Sequence, residues 1–235
     1  MSPAHMGRFA LPLARTVRAV AATIDELTVA DPPEAWSALG FAVEDDTCVV
    51  GDVRIRLAGD GARLAGEGAG RGLSGWSLRG VESIELDGLA TTRSDRPPPA
   101  EALAHPNGVD GLDHVVAITP ALERTVAALQ EAGLDLRRIR EEPTPAGAPR
   151  QAFFRLGAVI LEVVQEPPEA IERAGGDHPA FFWGLAFSAP DLERTVAGLG
   201  DSVSGVRDAV QPGRHIATLR RSAGLALPVA LVTPR

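Results

Sequence analysis

The pattern of apolar and polar positions first defines one segment, residues 111–133, which is typical of a buried strand followed by an amphipathic helix. Its beginning is mostly apolar and carries one histidine, His114, in the middle. Thr119 can cap a helix whose first turn contains Pro120, and Gly133 is a common helix stop. Between these signals one apolar face is formed by Leu122, Val126 and Leu129.

Similar segments recur along the chain. The hexapeptide Leu-Glu-Arg-Thr-Val-Ala occurs identically at 122–127 and 192–197. Residues 24–36 align without a gap with the segment that starts at Leu112. Both follow the same order of residue types: apolar, Asp, variable, an apolar run, polar and Pro. An internal repeat is stronger evidence about the fold than any single motif, because it defines the unit of construction.

A hairpin pattern follows each copy. Residues 47–57 contain two β-branched runs about the turn Gly51-Asp52, which is a typical hairpin signal. The pattern recurs at 151–156 with 159–164, and at 215–221 with 227–232. The repeated unit is therefore predicted to be strand, helix and two or three strands, or β-α-β-β-β.

The segments between these patterns predict connections and extra strands. Residues 76–81 and 81–86 read as strands, and three further segments read as polar or proline-rich joins, namely 91–107, 137–150 and 166–180. The glycine-rich stretch 59–75 matches G-x-G-x-x-G, but a strand follows it instead of a helix, so we interpret it as a flexible connection. Residues 1–22 lack the features of a signal peptide.

These patterns divide the chain into two predicted domains. Residues 1–100 would form an eroded N-terminal βαβββ-like unit plus extra strands. Residues 101–235 would form a domain of two βαβββ units, at about 109–166 and 181–235.

Composition excludes several classes of function. The formal net charge of −8 argues against nucleic acid as a partner, because binding to phosphates needs a basic face. Without lysine or tyrosine, no Schiff base and no tyrosine proton donor is available. The single cysteine, Cys48, allows no internal disulfide and indicates a reducing, cytoplasmic location. No apolar run is long enough to span a membrane.

The paired units carry a family resemblance in Leu112-Asp-His-Val-Val, in Leu156-Gly-Ala-Val-Ile-Leu-Glu-Val-Val164 and in the repeated hexapeptide. They resemble the vicinal oxygen chelate superfamily, and specifically its glyoxalase and bleomycin-resistance branch. The resemblance implies an α+β fold in which tandem βαβββ units form a curved mixed sheet, open on one side. It also implies a divalent ion (Zn, Ni, Mn or Fe) inside this bowl, held by first-strand and last-strand residues of both units.

Only one unit presents a pair of such residues, His114 in the first strand and Glu162 in the last. The repeat register places Gly184 and Val229 at the matching positions of the third unit, and Glu26 and Arg56 at those of the first. Catalytic metals usually have at least three protein ligands. His215 is the remaining candidate ligand, although a histidine at the end of a strand is more often solvated.

The pair formed by His114 and Glu162 therefore has three interpretations. It could bind a metal, act as an acid–base pair in a metal-free pocket, or be a buried contact that satisfies two polar groups. The other histidines, His5, His105 and His178, are predicted to lie at the surface. Several arginines near the hairpins could bind a carboxylate or phosphate, but we interpret them as solvated, namely Arg150, Arg155, Arg214 and Arg220.

Three functions are compatible with these observations. The first is a glyoxalase-like protein that acts on a small metabolite in the bowl, with His114 and Glu162 holding a metal or moving a proton. The alternative is a non-catalytic protein of the bleomycin-resistance type that binds and sequesters a small molecule. A third is an interaction module whose first and second units form the surface of a homodimer.

Overall fold

The computed structural model describes residues 21–59, 72–145 and 147–235. The described part contains fourteen strands, four α-helices and two 3₁₀ helices, the latter at Gly200–Ser202 and Arg221–Ala223. The strands are β1 Thr23–Val29, β2 Val43–Glu44, β3 Thr47–Val50, β4 Val53–Leu57, β5 Leu73–Arg79, β6 Thr91–Arg93, β7 Gly111–Thr119, β8 Asp135–Arg140, β9 Gln151–Leu156, β10 Val159–Gln165, β11 Phe181–Ser188, β12 Arg207–Asp208, β13 His215–Thr218 and β14 Val229–Val232. The α-helices are α1 Pro33–Ala38, α2 Leu122–Glu131, α3 Pro168–Arg173 and α4 Leu192–Leu199.

Two βαβββ units join edge to edge in an eight-stranded sheet with the order β12-β13-β14-β11-β7-β10-β9-β8. In each unit the last strand runs parallel to the first, β10 beside β7 and β14 beside β11. The two first strands, β7 and β11, pair antiparallel at the centre of the sheet. The predicted α+β fold with tandem βαβββ units in a mixed sheet is confirmed.

The N-terminal unit builds a second sheet, with the order β2-β3-β4-β1-β5-β6. Strand β1 pairs parallel with β4 and antiparallel with β5. Strand β5 therefore pairs with β1 in the same antiparallel way as β11 pairs with β7. Strand β6 runs parallel beside β5. The first unit thus repeats the βαβββ arrangement, and β5 takes the place of the first strand of a partner unit.

Alternating side chains give each sheet two different faces. Along β7 the side chains of Val115, Ala117 and Thr119 are fully buried, whereas those of His114, Val116 and Ile118 are only half-buried. We call the half-buried side the open face of the eight-stranded sheet. On β7 and β10 it carries His114, Val116, Ile118, Ile160, Glu162 and Val164.

One continuous hydrophobic core connects the two sheets. Trp36 of α1 packs edge-on against Phe187 of β11, with ring centroids 5.8 Å apart, and Phe41 packs against both. A second contact joins Trp76 of β5 to Phe182 of β11 at 5.0 Å. Aromatic contacts of this kind stabilise beyond the area that they bury, and here they attach the N-terminal unit to the central strand β11.

The structure corrects three interpretations of the connecting segments. Residues 81–86 form no strand, because Gly80 with φ +69° ends β5 and the Glu82 amide then bonds to the end of α2 at Ala132. The stretch 137–150 overlaps an edge strand, β8, whose arginines and β-bulge hide the strand pattern. The join at 166–180 contains the short helix α3.

Two predictions fall on residues outside the described ranges. The interpretation of residues 1–22 and of the glycine-rich stretch 59–75 concerns positions that are mostly not described. Within 21–59, 72–145 and 147–235, no helix has the length and apolar character needed to cross a membrane.

Candidate functional site

The structure brings His114 and Glu162 together on the open face. In the parallel register of β7 and β10, His114 lies beside Ile160 and Glu162 lies beside Val116, so both side chains project from the same face. The Nε2 atom of His114 is 3.7 Å from Oε2 of Glu162. Both side chains remain partly accessible, at 22% and 18% of their full exposure, so a ligand can reach them.

The other ring nitrogen of His114 is held by Asp113. Its Nδ1 lies 2.8 Å from Oδ2 of Asp113. A carboxylate can only accept a hydrogen bond, so Nδ1 carries a proton, and Nε2 is the ring nitrogen that faces Glu162. A carboxylate that orients a histidine in this way is common at catalytic and metal sites.

Asp113 is itself held in its charged form. Arg214 donates to its carboxylate at 2.8 Å and Arg235 at 3.1 Å. Burial alone would raise the pKa of Asp113, but the hydrogen bonds from His114 and Arg214, with the charge of Arg235, lower the pKa to about 2. The anchor of His114 therefore stays an anion at every physiological pH.

The pKa of Glu162 is shifted in the opposite direction. Burial raises the pKa of its carboxyl above the ordinary value. The charge of His114 and a hydrogen bond from the Gln151 side chain only partly offset this rise. A carboxyl group with a raised pKa beside an imidazole is a suitable arrangement for taking up and releasing a proton.

His215 does not belong to this arrangement. It lies on β13, three strands away from β7, which is about 14 Å at ordinary strand spacing. Its side chain is half-exposed, and its Nε2 is 3.6 Å from the exposed Asp208. The expected three-residue set with His215 is therefore not formed. No group of three His, Cys, Asp or Glu side chains suited to a metal ion occurs anywhere in the described ranges.

The third unit presents no polar side chain at the matching positions. The repeat offset of 70 residues relates His114 to Gly184 and Val116 to Ala186. Glu162 lies beside Val116, and Ala230 lies beside Ala186, so the counterpart of Glu162 is Ala230. The sequence register had placed Val229 at the position that matches Glu162, which is wrong by one residue. Val229 points into the core, where it is 1% exposed.

Backbone packing explains why position 184 is a glycine. A Cβ atom there would lie 2.6 Å from the carbonyl oxygen of Pro228, which also accepts the backbone hydrogen bond of Leu185. Real Cβ atoms do not approach backbone atoms so closely, so any side chain at this position would displace the start of β14. The position cannot hold a histidine ligand in this backbone.

We predict that Gly184→Ala lowers the free energy of unfolding by about 1–3 kcal/mol, the usual cost of overpacking. Urea denaturation measures this change. The matched control is Gly198→Ala on α4, where the added Cβ would have no neighbour within 4 Å. The control should gain up to about 1 kcal/mol from helix propensity. Equal stability of Gly184→Ala and the natural protein would contradict the close approach.

In the N-terminal unit an ion pair occupies the corresponding place. Thr28 lies beside Arg56, which makes Arg56 the counterpart of Glu162, as expected from the sequence. Arg56 donates to Glu26 at 3.1 Å, and Arg96 donates to the other oxygen of Glu26 at 2.8 Å. Both carboxylate oxygens of Glu26 are thus engaged by arginines, so this unit offers no ligand pair.

Of the two other described histidines, His105 lies in the core and His178 in a join, whereas the prediction for His5 concerns a position outside the described residues. His105 was expected at the surface but is buried, at 7% exposure, where it packs on Phe41 and accepts the Ala42 amide. Burial lowers the pKa of its imidazole. His178 lies in a join with its Nε2 2.9 Å from Glu166. Cys48 is buried, and burial raises the pKa of its thiol to about 12, which makes it unreactive.

Two of the arginines near the hairpins have structural partners. Arg150 binds Glu123 and Glu141, and Arg214 binds Asp113. Sequence reasoning missed Asp113, although an aspartate also precedes the matching position of the first unit. That residue, Asp25, is fully buried and binds three arginines, namely Arg54, Arg79 and Arg96.

A separate groove of about 770 Å³ lies between the end of α1, residues 105–108 and α4. Two of its polar side chains have partners within the protein, whereas Nε2 of the lining His105 has no hydrogen-bond partner among the described residues. Asn107 donates to the carbonyl of Leu39, and Thr195 donates to the carbonyl of Asn107. We interpret the groove as a packing seam between the N-terminal unit and α4.

Comparison with known proteins identifies the fold. No family model matches the sequence, and no curated protein matches it. Among solved structures, a xylose isomerase-like TIM barrel/4-hydroxyphenylpyruvate dioxygenase fusion protein superposes on 90% of this chain with a TM-score of 0.57 and 12% identity. The match spans 49% of that protein's length. The chain has the vicinal oxygen chelate fold.

Smaller proteins match over about half of the chain. Methylmalonyl-CoA epimerase from Mycobacterium tuberculosis is 19% identical, with 55% of this chain and 90% of that chain covered and a TM-score of 0.45. A hypothetical protein from Bacillus halodurans C-125 is 15% identical, with 53% and 94% covered and a TM-score of 0.42. Within the vicinal oxygen chelate fold, His114 and Glu162 stand on the first and last strands of one unit.

Proposed function

We propose that the protein binds a small metabolite on the open face of the eight-stranded sheet, where His114 and Glu162 exchange a proton with it. The observation that supports this proposal most strongly is the 3.7 Å approach of Nε2 and Oε2 on an accessible surface. Around the two residues the open face is largely apolar, with Val116, Ile160 and Phe153 as direct strand neighbours. Small-molecule sites usually combine such apolar walls with a few polar groups.

In this proposal each residue has a defined role. Glu162, when ionised, accepts a proton from an acidic carbon or hydroxyl of the bound metabolite. Its raised pKa makes the carboxyl a stronger base than an exposed glutamate. His114 offers the Nε2 lone pair as a second proton acceptor, or returns a proton once it is protonated. Asp113 keeps the ring oriented and stabilises its charged form.

The fold family implies a divalent metal, which the residues present would have to bind. His114 and Glu162 supply two ligands, whereas a catalytic metal usually needs three. The counterparts in the third unit, Gly184 and Ala230, have no ligand atoms. The described residues therefore do not fit such a metal, and the proposed proton exchange involves only His114 and Glu162. The proposed cytoplasmic location and homodimer remain predictions.

The acid–base role can be tested with 1-nitropropane, a small carbon acid with two adjacent oxygens. Proton NMR in D₂O follows the exchange of the hydrogens next to the nitro group. We expect the protein to accelerate exchange above the buffer rate, and Glu162→Gln to remove about 10²-fold of the acceleration, a typical contribution of a general base. His114→Ala should also reduce it. The control is Glu172→Gln, an exposed position on α3.

The Glu162→Gln variant should fold normally. A carboxyl whose folded pKa is raised contributes stability below its unfolded pKa and loses it as pH rises through the folded pKa. Removing the charge should therefore leave the protein at least as stable at neutral pH. Gln151 can still donate to the oxygen of the new amide.

Three outcomes would change the proposal. If the Val116 and Ile160 methyl signals do not shift on addition of the probe and exchange is not accelerated, the proposal is wrong. Binding without accelerated exchange would instead favour the sequestering protein as the function. Acceleration that EDTA removes and Zn, Ni, Mn or Fe restores would assign a metal to His114 and Glu162.

A further inference from the structure

The edge strand β8 extends the open face beyond the two residues of the pair. In the antiparallel registers Arg138 lies beside Phe153, and Phe153 lies beside Glu162. One row of side chains therefore runs across four strands as Arg138, Phe153, Glu162 and Val116. The next row runs as Arg140, Gln151, Val164 and Ile118.

The two arginines of these rows are directed to the same face as Glu162. The guanidinium of Arg138 lies over the Phe153 ring, 5.3 Å from its centroid. The charge of Arg140 acts on Glu162. Arg138 is two strands from Glu162, about 10 Å between backbones at ordinary strand spacing.

This part of the surface has an excess of positive charge, although the whole chain carries −8. Three arginines face this side, namely Arg138, Arg140 and Arg155, against two carboxyl groups. The carboxyl groups are those of Glu162 and of Asp135, which lies beside Arg155. The nearest acid to Arg140 is Glu142 at 3.9 Å, and that side chain is 79% exposed. A positively lined surface in an acidic protein attracts anions selectively.

Edge strands also carry charged residues merely to prevent aggregation. The three arginines of β8 can be compared to see whether this explanation accounts for all of them. Arg137, in the bulge between Leu136 and Arg138, is 57% exposed and pairs with Asp135 on its own strand. By contrast, the Arg140 side chain is only 22% exposed. Arg137 behaves as a solvated edge residue, whereas Arg138 and Arg140 belong to the rows of the open face.

We infer that the metabolite is a small acid whose carboxylate is bound by Arg138 and Arg140. Its apolar body would lie on Phe153 and Val164, with its reactive end at Glu162 and His114. A guanidinium matches a carboxylate with two parallel hydrogen bonds, which makes arginine well suited to this recognition. This inference rests on the proposed function and adds the class of substrate to it.

The test compares acids with their neutral amides of the same shape. Phenylacetate and phenylacetamide, and isovalerate and isovaleramide, are titrated into the protein while the methyl signals of Val116, Ile118 and Val164 are followed by NMR. We expect the acids to bind more tightly than the amides. Arg140→Gln should weaken acid binding by about tenfold, the usual contribution of a hydrogen bond to a charged group. It should leave amide binding unchanged.

Arg137→Gln is the matched control, because it removes one guanidinium from the same strand but from outside the rows. It should leave all four affinities unchanged. Acids and amides that bind equally on the open face, with no effect of Arg138→Gln or Arg140→Gln, would overturn the inference while the proposed function stands. If none of the four compounds shifts the open-face methyls, the inference is wrong. The proposed function is wrong as well only when 1-nitropropane also leaves these signals and its own exchange rate unchanged.

Discussion

Replacing Phe187 by alanine should lower the free energy of unfolding by about 3–5 kcal/mol, the usual cost of removing a buried phenyl ring. Phe187 is fully buried on β11 and contacts Trp36 and Phe41, which both come from the N-terminal unit. Because the cavity would open between the two sheets, neither can refill it alone. A loss of this size is a large part of the 5–15 kcal/mol that stabilises a typical protein.

Guanidinium denaturation followed by tryptophan fluorescence measures this change, since Trp36 and Trp76 lie in the N-terminal part and Trp183 lies on β11. The matched control is Phe181→Ala on the same strand, where the ring is only half-buried and contacts His178. It should cost about 1 kcal/mol. One cooperative transition that moves to lower denaturant is expected. Two separate transitions in the natural protein would show that the sheets do not share a core.

The sequence predicted the units of this fold but not all of their edges. The repeated hexapeptide and the hairpin turns mark α2, α4 and the central strands, since apolar periodicity is strong where an element packs on the core. Strand β8 was missed because it is an edge strand with arginines at three of its six positions and a bulge that breaks the alternation. Residues 81–86 were misread because their partner is the end of a helix instead of another strand.

For the candidate site, sequence reasoning named the two central residues but not their surroundings. His114 and Glu162 could be named because a histidine and a glutamate inside apolar strands need a cavity or a partner. The neighbours that define their chemistry could not be named. Arg214 and Arg235 reach Asp113 from 101 and 122 residues away in sequence, and no local pattern records such a contact. The register error at Val229 has a similar origin, because only the pairing of β11 with β14 shows that Ala230 faces the open side.

Replacing Asp113 by asparagine should also lower the free energy of unfolding at neutral pH by about 3–5 kcal/mol, as expected when one partner of a buried ion pair is removed. The Asp113 side chain is 5% exposed and that of Arg214 is 11% exposed. In the variant, the Arg214 guanidinium would stay buried without its counter-charge. The control is Asp135→Asn, whose ion pair with Arg137 is 57% exposed on both sides and should contribute less than about 1 kcal/mol.

The effect of Asp113→Asn should depend on pH in a defined direction. The folded pKa of Asp113, about 2, lies below its ordinary value of 3.8. A depressed carboxyl pKa contributes stability above the unfolded value that is lost as pH falls through the folded value. The natural protein should therefore lose about 2 kcal/mol more than the variant between pH 4 and pH 2. Urea denaturation at several pH values measures the difference.

The same substitution separates a structural role of Asp113 from its role in the site. If Asp113 fixes the proton on Nδ1 of His114, asparagine should allow the ring to change tautomer, which nitrogen NMR of the imidazole detects directly. The acceleration of nitropropane exchange should then fall even under conditions where the variant is fully folded. A destabilised variant with an unchanged tautomer and unchanged exchange would show that Asp113 stabilises the fold only, and that His114 is oriented by its contact with Glu162.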